Sequence, residues 1–177
     1  MSEPRRHDPP AQRGVLLVGH GGIPKDYPRE YVTKLKTLEA RRRAGGAEPT
    51  VEEVELDRRI RQWPRTPETD PYQAGFEALS THLKALLGDQ HFAIAYNEFC
   101  APTVEEALEE MIQAGITTIT VVPSMLTPGG SHSEIEIPES VARLRARFPQ
   151  VDIRYAWPFD LSAVATMLAT QLQRFGP

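Results

Sequence analysis

The stretch HFAIAYNEFCAPTVEEALEEMIQAGITTITVVP, residues 91–123, decides the fold, because it carries a strand, a helix and a second strand in succession. Residues 91–96 and 117–122 are short apolar runs, which predict buried strands. Between them, Thr103 and Glu106 have the capping-box spacing that starts a helix. A strand, a helix and another strand in this order predict a right-handed crossover between two parallel strands.

The same alternation extends from this unit in both directions. Two further strands are predicted at 14–19 and 151–156, and three further helices at 70–87, 138–148 and 161–175. We therefore expect a single α/β domain over residues 14–177, with a four-stranded parallel sheet and helices on both faces. A polar, proline-rich tail is expected at residues 1–13.

One helix is enough for a crossover between two parallel strands, and residues 25–65 come in addition to the helix at 70–87. We therefore expect residues 25–65 to form a helical insertion after the first strand. Helices are predicted at 27–44 and 50–62, the second with a Thr-x-x-Glu capping box at its start. The segment holds 11 Lys and Arg against 8 Asp and Glu, whereas residues 66–142 hold one lysine against 12 acidic residues. Three roles stay open: a basic lid over an anionic ligand, a partner-docking surface, and a solvated hairpin whose arginines pair with its own acidic residues.

The composition is that of an ordinary globular protein of 177 residues, with 40% hydrophobic and 25% charged residues. No apolar run has the length of a membrane span and no apolar leader is recognisable, so we expect no membrane partner and a cytoplasmic location. The net charge of -4 argues against nucleic-acid binding. A single cysteine, Cys100, excludes an intramolecular disulfide and a cysteine-rich zinc site.

Candidate functional residues directly follow the predicted strands. In a parallel α/β sheet, ligands bind beyond the carboxyl ends of the strands. His20 follows the first strand, Glu98 the second and His132 the third. Neutral imidazoles and a carboxylate are ligands for a borderline divalent metal, and imidazole can also accept a proton. We expect a metal site at this edge, although Glu98 could instead serve as an acid that favours the dipole of the following helix.

Three other chemistries fit these residues less well. A histidine phosphatase needs an arginine immediately before His-Gly, where this chain has Gly19. A serine hydrolase needs GxSxG, and the stretch GGSHS at residues 129–133 lacks the closing glycine. The dinucleotide fingerprint fails because Pro24 stands where its third glycine belongs, so no nucleotide cofactor is expected.

Three motifs together resemble the CbiX/SirB family of ATP-independent class II chelatases, which insert a divalent metal into sirohydrochlorin. The first motif is a strand followed by GHGG at residues 19–22, and the second is Glu98 four residues before Pro102. The third is GSHSEIEIP at residues 130–138. Four features depart from the family pattern: Gly22 replaces the usual Ser, Glu136 replaces the usual Asp, the corner at residues 157–159 is not typical, and the insertion has no counterpart in short members.

The resemblance implies a sirohydrochlorin chelatase whose metal substrate is Co²⁺, Fe²⁺ or Ni²⁺. It implies that His20 and His132 contact the metal and help to remove pyrrole protons, with Glu98 as ligand or proton acceptor. It also implies a homodimer, which is how short single-domain members pair. A non-catalytic protein that carries a metal or tetrapyrrole remains the alternative, and a hydrolase of small esters is a third possibility.

A tetrapyrrole also needs contacts to its carboxylates and its flat faces. For the carboxylates we expect residues of the loops after the first and third strands, namely Gly21, Gly22, Gly129, Gly130, Ser131 and Ser133. The candidate apolar walls are Tyr96, Phe99, Met125, Leu126, Trp157 and Phe159. Each of these large side chains could equally belong to the core.

Overall fold

A computed structural model describes residues 12–176 of the chain. The elements are β1 Arg13–Gly19, α1 Arg29–Gly45, α2 Val51–Arg61, α3 Pro71–Leu86, β2 His91–Tyr96, α4 Val104–Gln113, β3 Thr118–Pro123, α5 Ile137–Arg147, β4 Asp152–Tyr155 and α6 Leu161–Gln173. Every predicted strand and helix is present, with ends that differ by one or two residues. The predicted tail lies outside the described residues except for its last two, of which Arg13 already belongs to β1. No helix in the described part of the chain has the length and hydropathy needed to cross a membrane.

The four strands form one all-parallel sheet in the order β2-β1-β3-β4, which confirms the predicted fold class. Val15 of β1 pairs with Phe92 of β2 on one side and with Thr120 of β3 on the other. Ile119 of β3 pairs with Ile153 of β4. Because β1 lies between β2 and β3, the segments that follow these three strands meet at one edge of the sheet.

The larger part of the core lies between the sheet and the helices α4 and α5. The strand side chains Leu16, Val121 and Ile153 pack with Leu108 of α4 and Val141 of α5, and all five are at most 2% exposed. Burying an aliphatic side chain of this size stabilises a fold by about 1.5–3 kcal/mol. This layer therefore holds the strands, and the loops that follow them, in a fixed arrangement.

The opposite face of the sheet is only partly covered. Phe76 of α3 packs on Leu17 of β1 and Tyr96 of β2, so that α3 covers the β1 and β2 side. The sequence predicts helices on both faces but does not assign α6 to one of them. Among the described residues, α6 has no buried side chain, and no strand makes extensive contact with it.

The hairpin of α1 and α2 has a small core of its own. Tyr27, Leu35, Leu56 and Ile60 are at most 7% exposed and pack with Phe99, which comes from the segment after β2. The hairpin is therefore anchored on the loop that carries Glu98.

The two predicted capping boxes differ. At α4, Thr103 and Glu106 make both reciprocal hydrogen bonds. At α2, Thr50 accepts a hydrogen bond from the Glu53 backbone N–H at 3.1 Å, but the Glu53 carboxylate pairs with Arg42 of α1 instead of returning to the cap. Only half of this box forms, because Glu53 ties the two helices of the hairpin together.

Candidate metal centre

His20, Glu98 and His132 come together at the carboxyl edge of the sheet. One ligand atom from each residue lies within 4.8 Å of the other two. The Nε2 atoms of the two histidines are 3.0 Å apart, and their rings are almost perpendicular at 87°. Two nitrogens bound to one cation at about 2.1 Å each lie about 3.0–3.4 Å apart for bond angles of about 90–109°. The spacing therefore suits two ligands of one ion.

Hydrogen bonds set the tautomer of His20. Its Nδ1 lies 2.8 Å from the backbone oxygen of Gly21. Because a carbonyl oxygen can only accept, Nδ1 carries the proton and Nε2 keeps a free lone pair. The backbone N–H of His20 donates to the Tyr72 hydroxyl at 2.6 Å, which fixes the main chain at this point.

His132 is oriented by a carboxylate. Its Nδ1 lies 2.9 Å from Oε2 of Glu136, and Asn97 donates to the same oxygen at 2.7 Å. Burial favours a raised pKa for Glu136, but the hydrogen bonds from Asn97 and His132 outweigh it and hold that pKa below its usual value. A charged carboxylate behind a ligating histidine fixes the ring and raises its basicity.

The residues from His132 to Glu136 form a single π-helical turn that leads into α5. The backbone N–H of Ile137 donates to the oxygen of His132, five residues earlier. Pro138 follows at the start of α5 and has no N–H to continue the ladder. The sequence predicts only the helix that begins near Pro138, so this turn was missed. Such turns occur often at functional sites.

The loop after β2 is fastened to the loop after β1. The backbone N–H groups of Asn97 and Glu98 donate to the oxygens of Gly19 and His20 at 2.9 and 2.8 Å. Gly21 has φ of 96°, and a Cβ atom built there would lie 1.7 Å from the backbone oxygen of Glu98. Glycine is required at this position by both its φ and the close approach of the two chains. This approach places Glu98 beside His20.

A buried guanidinium bridges the same two loops. Arg65 donates from Nη1 to the oxygen of Gly22 at 2.9 Å and from Nη2 to the oxygen of Phe99. It is paired with Asp70, and their side chains are only 7% and 2% exposed. Asp70 also accepts from the backbone N–H of Gln73 as the N-cap of α3. Arg65 thus connects α3 with the loops that hold His20 and Glu98.

Arg61 makes a second contact of this kind. It donates to the oxygen of Cys100 at 2.7 Å and is held by Asp57 at 2.7 Å. From the sequence, the arginines of the insertion, Arg61 among them, were expected only to bind an anion or to pair with acidic residues of the insertion, and Arg65 was not singled out. Bonds from a guanidinium to carbonyls far away in the sequence leave no local pattern.

A cavity of about 650 Å³ opens between the α1–α2 hairpin and the helices α4 and α5, and of the three metal candidates Glu98 lines it. Its walls include Glu98 and Glu136, and its basic lining residues are Arg42, Arg43, Arg61 and Arg143. Glu39 also lines it, and burial together with the neighbouring Glu98 raises the pKa of Glu39. The cavity therefore has a mixed, strongly charged lining that includes Glu98.

The arginines of the hairpin are mostly in ion pairs. Arg42, Arg43 and Arg61 line the cavity, and they pair with Glu53, Glu136 and Asp57. Arg58 makes an exposed pair with Glu55, and Arg59 lies over the ring of Tyr31. Pairing within the hairpin is therefore present, and a role of the cavity-lining arginines toward an anion stays a prediction.

The residues predicted to contact the tetrapyrrole differ in exposure. Gly129, Gly130 and Ser131 are exposed in the loop before the π-helical turn, and Gly22 is half-buried. Gly21 is buried. Ser133 is also buried, and its backbone oxygen accepts from the Tyr155 hydroxyl, so its side chain lies below the surface that the other residues share.

The candidate apolar walls also separate into two groups. Tyr96 and Phe99 are 1% and 5% exposed and belong to the core, although Phe99 also lines the cavity. The partly exposed candidates are Met125, Leu126, Trp157 and Phe159. A position at or just after a strand end does not distinguish a core side chain from one at a site, which is why the sequence suggested all six.

Two comparisons of the sequence with known proteins agree. Residues 68–174 match the family model CbiX, and that range includes Glu98 and His132. Over 68 residues, the chain is 35% identical to the sirohydrochlorin ferrochelatase of Priestia megaterium. This match covers 38% of the chain and 25% of the relative, so the chain matches about a quarter of the relative's length.

Two solved structures have a similar fold. One is a cobalamin (vitamin B12) biosynthesis CbiX protein from Marinobacter aquaeolei VT8, with a TM-score of 0.51, 20% identity, and coverage of 92% of this chain and 98% of that chain. The other is SirB from Bacillus subtilis with Fe³⁺, with a TM-score of 0.51, 22% identity, and coverage of 94% of this chain and 48% of that chain. At these identities the likeness shows a shared fold.

Proposed function

The chain belongs to the CbiX family, and from this premise we propose that it inserts a divalent metal into sirohydrochlorin or a related tetrapyrrole without ATP. The metal is Co²⁺, Fe²⁺ or Ni²⁺, and it is a substrate of the reaction. The observation that carries this proposal is the convergence of the His20 and His132 Nε2 atoms, 3.0 Å apart, with the Glu98 carboxylate nearby.

Metal insertion requires that the cation lose part of its water shell and that two pyrrole N–H groups lose their protons. Two imidazole nitrogens and one carboxylate replace some of the water but leave coordination positions open. An incomplete ligand set suits a metal that must be passed on to four pyrrole nitrogens. Bases beside the metal can accept the protons that the macrocycle releases.

The two histidines differ in the groups that hold their rings. Nδ1 of His20 faces the backbone oxygen of Gly21, whereas Nδ1 of His132 lies 2.9 Å from Oε2 of Glu136 and 2.8 Å from Nδ2 of Asn97. Both rings therefore direct Nε2 toward the metal. An imidazole can accept a pyrrole proton at Nε2 only after that nitrogen has released the metal to the macrocycle.

The macrocycle lies, in this proposal, against the exposed loop of Gly129, Gly130 and Ser131, next to His132. Backbone N–H groups there and the arginines that line the cavity meet its carboxylates, because guanidinium groups bind carboxylates in pairs of hydrogen bonds. Met125, Leu126, Trp157 and Phe159 provide apolar surface. We also expect a homodimer, in which a second copy completes the cleft.

An anaerobic absorbance assay tests the function. Purified protein is mixed with sirohydrochlorin and with Co²⁺, Fe²⁺ or Ni²⁺ in turn, and the spectrum of the macrocycle is followed against a protein-free control. We expect catalytic amounts of protein to accelerate insertion of at least one metal. If the protein binds metal or tetrapyrrole stoichiometrically and accelerates no insertion, it is a carrier and the proposal is wrong.

A further inference from the structure

Helix α6 has no packing partner within the described part of the chain. It contributes no buried side chain, and only Val164 is partly covered. Leu161, Met167, Leu168 and Leu172 are 51–71% exposed. The helix sequence, LSAVATMLATQLQ, contains no charged residue. Helices of this length are marginally stable in water without tertiary contacts, and an apolar, uncharged helix is normally buried.

The sheet has a region that no helix of the described residues covers. On the face that carries α3, the side chains of Thr118, Thr120 and Val122 of β3 are only partly buried, and Arg154 of β4 is exposed. Parallel sheets are normally covered by helices on both faces. The β3–β4 side of this face, which we call the open face, therefore lacks one helix.

We propose that α6 of one copy of this chain packs on the open face of a second copy, and that the second copy returns its own α6 in the same way. A two-fold axis makes such an exchange reciprocal, so both helices and both open faces are covered in one dimer. The inference rests on the homodimer proposed above and names its contact surface. It does not depend on metal insertion.

A second copy is the occupant that the chain itself points to. The open face lacks a covering helix, and α6 lacks a surface to pack on. The same chain supplies both. Their chemistry also fits, because the apolar side chains of α6 would lie on Val122 and the methyl groups of the threonines. The ion pair of Arg154 with Asp152 is exposed on both sides and would lie at the polar rim of the contact.

The first experiment measures molecular mass by light scattering during gel filtration, over a wide range of protein concentration. The unmodified chain is expected to be a dimer. The double variant Leu168→Glu and Leu172→Glu should be a monomer, because each carboxylate would have to be buried in the contact. The control is Val51→Glu, which places one such carboxylate at an 88% exposed residue of α2 and should leave the dimer intact.

The second experiment identifies the surface that α6 meets. Chains with Thr120→Cys and chains with Leu168→Cys are mixed and treated with a short bismaleimide. We expect a crosslinked dimer from the mixture and much less from either variant alone. Cys100 is buried and should not compete. Thermal unfolding of each variant, followed by circular dichroism, shows that the sheet and its core remain folded.

The other outcomes are distinguishable. A monomeric unmodified chain overturns both the homodimer and the helix exchange. A dimer that survives the two α6 substitutions overturns the exchange and keeps the homodimer. An intramolecular crosslink in a monomer that carries both cysteines shows α6 on its own sheet and also overturns the exchange. Neither experiment measures metal insertion. Failure of the proposed chelatase activity would therefore be a separate result.

Discussion

The Nε2 atoms of His20 and His132 face each other across 3.0 Å, although 112 residues separate the two histidines in the chain. The contact joins the loop after β1 to the turn that precedes α5. Each ring is held from behind through Nδ1, His20 by a backbone carbonyl and His132 by the carboxylate of Glu136.

His20→Ala and His132→Ala should each abolish tight binding of Co²⁺. Removing a ligand should cost more than the roughly 10–100-fold loss seen when a partner behind a ligand is removed. Isothermal titration calorimetry measures the affinity, and His82→Ala, on the exposed side of α3, is the control. If both single variants bind Co²⁺ as the unmodified chain does, the two histidines do not share a metal.

Glu98→Gln separates a chemical role from a role in helix stability. A ligand or base loses its function with the charge, so the rate of metal insertion should fall strongly while the melting temperature stays near normal. An acid that only favours the helix dipole would instead leave the rate unchanged and cost about 0.3–1 kcal/mol of stability. Measuring both quantities on the same variant decides between them.

Gly21→Ala should be far more harmful than Gly129→Ala. Both glycines have φ of 96°. A Cβ at Gly21 would lie 1.7 Å from the backbone oxygen of Glu98, whereas a Cβ at Gly129 would meet no atom within 4 Å. The control therefore measures the cost of φ alone, about 1–2 kcal/mol. Urea denaturation should show a larger loss for Gly21→Ala, together with weaker Co²⁺ binding. Equal losses would mean that the two loops can separate at little cost.

Arg65→Met should destabilise the protein by about 3–5 kcal/mol, because Asp70 would be left as a buried charge without its partner. Adding Asp70→Asn should recover part of this loss, since asparagine removes the charge and is still a good N-cap for α3. Arg58→Met, which breaks an exposed pair with Glu55, should change stability little. Urea denaturation of the three variants tests the prediction. No recovery in the double variant would show that Arg65 acts through its carbonyl contacts alone.

Glu39→Gln should stabilise the protein at neutral pH and have less effect in acid. The pKa of Glu39 is raised by burial and by Glu98, so its carboxylate is less favourable in the folded than in the unfolded state. This cost is present above the folded pKa and disappears as pH falls below the ordinary value, where both states are protonated. Melting temperatures measured across pH, with Glu48→Gln at an exposed residue as control, test whether the stabilisation by Glu39→Gln grows as pH rises. An equal shift for Glu39→Gln at all pH values contradicts it.

The elements of the fold were predictable because each is specified by residues close together in sequence. Apolar runs mark the strands, and the cap at Thr103 and the proline at α3 mark helix starts. The approach of His20, Glu98 and His132 also followed, since parallel topology alone brings the ends of neighbouring strands to one edge.

Other features depend on contacts between residues far apart in sequence and were missed for that reason. The side chain of Arg65 reaches the oxygen of Phe99, 34 residues away, without any periodic pattern to reveal it. The burial of Tyr96 depends on Phe76 of α3, which the alternation within β2 does not show. The apolar pattern of α6 predicts a helix correctly, but it does not say which sheet the helix covers.

The π-helical turn makes the position of His132 depend on the number of residues that precede α5. An α-helix advances about 100° per residue, so deleting one residue from this turn and closing it as an α-helix would rotate His132 by about that angle relative to α5. The histidine would then face away from His20, even though every ligand would still be encoded. Among related sequences, a one-residue gap between the histidine and the proline that follows it is therefore as informative as the loss of the histidine.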